Sequence, residues 1–152
     1  MNCLKDLSVH PQGLIIFNYA GKDYCVDIKY ILAILDSNRK ARQEYSINSN
    51  NKILKYGSQI ISILDSEAIF NAKPCLDVHN QKLIVFLFNG FRFAFFIDRI
   101  IEIVSLDKKI IDSIHYTDSN PELNLCGSIE YNGMILNIPD LDKITHEILH
   151  PN

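Results

Sequence analysis

"LIIFNYAGKDYCVDI", Leu14 to Ile28, returns sixty-nine residues later as "LIVFLFNGFRFAFFI", Leu83 to Ile97. Slid on itself by that offset, the chain sets Leu14, Ile15, Phe17, Gly21 and Ile28 on Leu83, Ile84, Phe86, Gly90 and Ile97, with Tyr19, Tyr24 and Val26 on Phe88, Phe93 and Phe95. Each copy reads as strand, glycine turn, strand. β-Branched and aromatic runs flank Ala-Gly in one copy and Asn-Gly in the other, and glycine takes the positive φ that a tight reversal needs. Beyond each hairpin the apolar residues fall at three-and-four spacing, Ile31, Ile34 and Leu35, then Ile100, Ile103 and Val104. That spacing predicts short helices at Lys29–Asp36 and Arg99–Val104.

A second echo follows. "YGSQIISILD", Tyr56 to Asp65, matches "YNGMILNIPD", Tyr131 to Asp140, so each half closes with a tight turn and a strand ending in Asp. Both aspartates precede helical patterns, which suits them to N-capping; the second helix starts near Leu141. The polar stretches Ser37–Asn51 and Ile110–Asn124 read as exposed loops, and Asn71–Gln81 as the crossover between halves. The duplication predicts a mainly β fold of two pseudo-symmetric five-stranded SH3-like β-barrel subdomains, with short helices and a C-terminal helix. Subdomain 1 is expected at about 13–75 and subdomain 2 at about 76–144, together one domain over 13–144, with 145–152 as helix end and tail.

Composition narrows the functional classes. The 152 residues are 47% apolar, enough for a folded core, and fifteen basic against eighteen acidic residues give a net charge of −3. No basic stripe neutralises a phosphate backbone, so nucleic acid is not an expected partner. Leu83–Val104 is apolar enough to suggest a membrane span, but Asn89-Gly90 and Arg92 interrupt it, and Arg near a bilayer centre costs about 2.5–3.5 kcal/mol. A hairpin buried on both faces is the better reading, without direct membrane insertion. Cys3, Cys25, Cys75 and Cys126 lack metal-ligand spacing, and the N-terminus lacks an apolar signal segment, which together point to a cytoplasmic protein with reduced thiols.

These motifs together resemble the CheW-like domain of bacterial chemotaxis, over roughly Gly13 to Ile144. "YCVDIKYILAI" is similar to the family's Y-G-V-D-I and following V-x-E-I, and "FFIDRIIEIVSL" to its V-V-D-x-V-x-x-V. "GSQIISILD" and "CGSIEYNGMILNIPDLDKI" resemble its two closing runs. The resemblance implies a non-catalytic scaffold that couples the tips of methyl-accepting chemotaxis receptors to the regulatory domain of a CheA-type histidine kinase, cytoplasmic but recruited to receptor arrays. An adaptor of a pilus or developmental array is the alternative. No cofactor or metal is implied. Carried over by position, the partner-binding residues are Ile31, Gly57, Ser58, Ile60, Asp98 and Ile100. The chain departs from the family pattern at its Arg-Gly turn, which falls on Gly57-Ser58 or, with a one-residue slip, on Tyr56-Gly57; in either register no Arg is present. The acidic position of the first-half pattern is Ala33.

One string points to a different chemistry. His146-Glu147-Ile148-Leu149-His150 is a literal H-E-x-x-H, in which two imidazoles one helical turn apart bind zinc and the Glu serves as general base of a metalloprotease. Helical geometry argues against it. With Leu141, Ile144, Ile148 and Leu149 as the buried face, His146 and His150 project about 140° and 180° from Leu141, toward solvent.

Overall fold

The computed structural model describes residues 13–48, 50–105, 107–116 and 124–149, with backbone only at 43–44 and 147–149. Its strands are β1 (Gly13–Tyr19), β2 (Lys22–Asp27), β3 (Ile31–Asp36), β4 (Ile53–Tyr56), β5 (Gln59–Leu64), β6 (Lys82–Phe88), β7 (Phe91–Ile97), β8 (Arg99–Ser105), β9 (Ile114–Tyr116), β10 (Leu125–Tyr131) and β11 (Met134–Pro139). Short helices α1 (Arg39–Tyr45), α2 (Ser66–Phe70), α3 (Lys108–Asp112) and α4 (Leu141–Leu149) cap or connect them. The fold is mainly β, and Leu83–Val104 is three strands. Among the described residues no helix is long and apolar enough to cross a membrane.

The strands form two sheets, ordered β8-β1-β2-β11-β10-β9 and β3-β6-β7-β5-β4. Both are built alike. Each holds one copy of the long hairpin, β1–β2 or β6–β7, joined in parallel to the closing hairpin, β2 to β11 at Tyr24↔Asn137 and β7 to β5 at Phe93↔Ser62. Five strands therefore recur in the same order, as the duplication predicts. The first sheet adds β9, antiparallel to β10 at Ile114↔Ile129; the other has an isolated bridge at the matching place, Ile47↔Leu54.

The division of the chain differs from the one expected at residue 75. Among the described residues, one compact unit comprises those within 13–18, 22–29 and 101–149, and the other those within 19–21 and 30–100. Each half has lent its long hairpin to the other half's closing strands. The exchange is physically permitted because the duplicated hairpins present the same apolar alternation, so either copy satisfies the same edge.

A second correction concerns Lys29–Asp36 and Arg99–Val104, which are strands β3 and β8 after a 3₁₀ turn at Ile28–Tyr30 in the first case. β3 pairs with β6 from Ile31↔Phe86 to Asp36↔Lys82, with a register irregularity between Ile31 and Ala33. That bulge inserts one residue into the period-two alternation, and an interrupted alternation imitates helical spacing. An ion pair between Lys82 and Asp36 closes the strand pair. The expected loops also carry structure: Ser37–Asn51 contains α1, capped by Asn38, whose Oδ1 accepts the Ala41 N–H at 2.8 Å, and β9 lies in Ile110–Asn124.

Each unit has its own core. In the first, Leu14, Ile16, Cys25, Val104, Ile129 and Leu136 pack together; in the second, Leu35, Leu54, Ile61, Leu83, Val85 and Phe96. Asp65 and Asp140 cap α2 and α4 as expected, accepting the N–H groups of Glu67 and Lys143 at 3.0 Å each. Burial pushes the Asp140 carboxyl up, against the Lys143 N–H that favours its charged form. Cys25 and Cys75 are free thiols, and burial pushes Cys25 up to about 12.

Candidate functional site

The second unit exposes a sheet face whose residues come from the closing hairpin. Gly57 takes φ +62° in the β4–β5 turn, a conformation for which glycine carries no Cβ penalty. Ser58 beside it is exposed. Along β5 the side chains alternate: Ile61 and Ile63 are in the core, whereas Ile60 is 72% exposed. Across the antiparallel pair Ile60 faces Lys55, and Ser62 faces Ile53. Strands β5 and β7 run parallel, Ser62 beside Phe93. Continuing that register two residues back sets Ile60 beside Phe91, which is 45% exposed. The Gly57-Ser58 and Asn89-Gly90 turns consequently lie at the same end of the sheet.

Ile31 belongs to the same sheet face. One row of cross-strand neighbours runs Ile31, Phe86, Phe93, Ser62, Ile53. Phe86 and Phe93 in the middle of that row are buried, and Ile31 is half-buried. Ile100, on β8, is also half-buried.

Asp98 is placed differently from the sequence expectation. Only 1% exposed, its carboxylate accepts the backbone N–H of Ala20 at 2.8 Å, of Cys75 at 2.9 Å and of Leu76 at 3.0 Å, and the Gln81 side-chain amide at 3.3 Å. Burial alone would push the carboxyl up, but these donors more than offset it and hold the group below the usual carboxylate range. Asp98 also follows β7 at the end opposite Phe91, seven residues and roughly 23 Å away. It cannot share a contact with Ile60. Its role is internal, pinning the crossover and the β1–β2 turn to the end of β7.

The structure thus brings Gly57, Ser58 and Ile60 together, keeps Ile31 on their face and withdraws Asp98 from the surface. Phe91, Ile53 and Lys55 were not singled out by sequence reasoning, which read the hairpin containing Phe91 as buried on both faces. A signal for Phe91 did exist: in the duplicated hairpin its place is taken by Lys22, an exposed polar residue. A position that tolerates lysine in one copy lies outside the core.

A cleft of about 720 Å³ in the same unit is lined by Lys52, Asp65, Glu67, Asp77, Leu76 and Phe96 among others, with no histidine or cysteine in its wall. Asp65 there is engaged as a helix cap, and the Ser66 hydroxyl donates to the Phe96 carbonyl oxygen. His146 is exposed on α4, whose buried residues include Leu141, Ile144 and Thr145; His150 and the side chain of Glu147 lie outside the described residues. Among those described, no group of three His, Cys, Asp or Glu side chains is placed to hold a metal ion.

Comparison with known proteins supplies the family. A search of curated protein sequences gives no match. Among solved structures, the scaffolding protein TtCheW from Thermoanaerobacter tengcongensis is similar, with a TM-score of 0.68 over 86% of this chain and 90% of that one; at 16% identity the likeness is one of fold. The family model for the CheW-like domain matches residues 13–149, so that the duplicated hairpins, their sheet order and the sequence pattern agree: the chain belongs to the CheW-like domain family, the non-catalytic scaffold family of chemotaxis coupling adaptors.

Proposed function

We propose that this protein couples the cytoplasmic tips of methyl-accepting chemotaxis receptors to the regulatory domain of a CheA-type histidine kinase, and is held at receptor arrays by those contacts. The observation that carries this reading is the exposure of Ile60 beside Phe91 at the turn where the family's partner-binding motif falls. An isoleucine 72% exposed gains little from burial in its own unit, and exposed apolar groups beside one another mark interaction sites more often than scattered ones do. Gly57 and Ser58 adjoin that face in the β4–β5 turn, and Ile31 lies farther along the same side of the sheet, beyond the buried Phe86 and Phe93. Asp98 contributes by holding the fold, and Ile100 remains a candidate on β8.

Titration calorimetry of the purified chain against the kinase regulatory domain and against a receptor hairpin fragment tests the reading. Ile60→Asp should weaken binding of at least one of them by about tenfold or more, as truncation of an interface anchor does, with the melting temperature unchanged. Wild-type protein that binds neither fragment would refute the coupling role.

A further inference from the structure

The hairpin tips of the first unit carry a row of three exposed side chains that sets an acid and a base on either side of an apolar group. Glu130 on β10 is the cross-strand neighbour of Ile135 on β11. Strands β11 and β2 run parallel with Asn137 beside Tyr24, and two residues back in that register Ile135 lies beside Lys22. The residues that alternate with this row, Ile129 on β10, Leu136 on β11 and Cys25 on β2, pack in the core, so Glu130, Ile135 and Lys22 share the opposite face. All three are exposed, Ile135 at 62%. Neither Lys22 nor Glu130 forms an ion pair among the described residues, where the pairs are Lys29–Asp27 and Lys82–Asp36. Two strand spacings, roughly 9.5 Å, and the Ile135 side chain keep them from pairing with each other.

We propose that this row is a self-association surface, occupied by the same row of a second copy of the chain. A two-fold axis along β11 lays the row on its copy in reverse order: Glu130 meets Lys22 of the second copy, Lys22 meets its Glu130, and Ile135 packs on its Ile135. One row thus supplies two identical ion pairs around an apolar centre, the self-complementarity that an isologous interface requires. The duplication provides an internal contrast. In the other unit the equivalent row is Lys55, Ile60 and Phe91, which holds one charge and forms no ion pair on reversal. Position favours the contact as well: the row lies beside the Asn132-Gly133 and Ala20-Gly21 turns, so nothing is asked of Tyr24 behind it, which is buried. Small contacts of this kind are weak, and exposed ion pairs are screened by salt; the dimer should therefore depend on both protein and salt concentration. It uses none of the residues assigned to the kinase and receptor contacts, and so goes beyond the coupling role without resting on it.

Sedimentation velocity of the intact chain over a concentration series tests this. Wild type should pass from monomer to dimer, and no further, as concentration rises. Lys22→Glu makes the row acidic at both ends and Glu130→Lys makes it basic at both ends, so each variant alone should dimerise at least about tenfold more weakly. Melting temperatures should match wild type, because both side chains are exposed. An equimolar mixture of the two variants should recover the wild-type affinity, since every acidic end then meets a basic one. The double variant Lys22→Glu/Glu130→Lys should recover it too, and Ile60→Asp should leave it unchanged. Four outcomes overturn the proposal: wild type monomeric throughout; either single variant dimerising as wild type does; a mixture that fails to associate; and loss of association in Ile60→Asp, which would mean that the Ile60 row of one copy meets the Ile135 row of the next. None of them bears on the calorimetric test of coupling.

Discussion

At position 98 one carboxylate fixes the path of three chain segments, and its physics is separable from any partner contact. Asp98→Asn keeps the shape but removes the charge that three backbone N–H groups and Gln81 solvate. It should destabilise the fold by about 1–3 kcal/mol, the cost of weakening hydrogen bonds to a buried charged group, measurable by urea denaturation. The folded carboxyl titrates lower than in the unfolded chain, so its contribution is complete above the unfolded value, about pH 3.9, and fades as pH falls through the folded one. The stability gap between wild type and Asp98→Asn should therefore be constant near neutrality and narrow below about pH 4. A gap that widens on acidification would contradict the assignment. Gly57 makes the complementary case: nothing lies within 4 Å of where a Cβ would stand, so the Cβ of Gly57→Arg meets no clash. Its positive φ alone should cost roughly 1 kcal/mol, read as a small drop in melting temperature.

Within elements, alternation decides which substitutions matter. Ile60 and Ile61 are adjacent on β5, one 72% and the other 0% exposed. Ile61→Asp buries an unpaired carboxyl, at a cost of several kcal/mol against a typical total of about 5–15, and should unfold the protein at room temperature, as circular dichroism would show; Ile60→Asp should not. At Gly127 an added Cβ would approach the His115 carbonyl oxygen to 2.5 Å. Gly127→Ala should therefore loosen β9, with faster amide exchange at Ile114–Tyr116 and a loss of about 1–3 kcal/mol. Much of this level was legible in the sequence. The turn glycines, the alternating runs and both capping aspartates were read correctly because each is a local signal. β3 and β8 were not, since the bulge after Ile31 and the two isoleucines exposed on β8, Ile101 and Ile103, break the alternation that identifies a strand. Asp98 was misplaced for another reason: sequence position says where a carboxylate lies in a motif, not which backbone amides converge on it.

For the molecule as a whole, duplication was visible from sequence while strand exchange was not. Equivalent hairpins carry equivalent patterns, and nothing in a pattern tells which copy of the closing strands will take them. The family assignment then sets the functional expectation of a scaffold. Metal analysis of the purified chain should give no stoichiometric zinc, because His146 is exposed on α4; one zinc per chain, lost on His146→Ala, would reopen the metalloprotease chemistry. Coupling itself is most directly measured by co-sedimentation of three components. A receptor hairpin fragment and the kinase regulatory domain, mixed alone, should sediment separately at low concentration. Addition of the wild-type chain should move both into one complex, and Ile60→Asp should fail to do so. If wild-type protein binds each fragment but never both together, the chain is a ligand of the array and not its coupler.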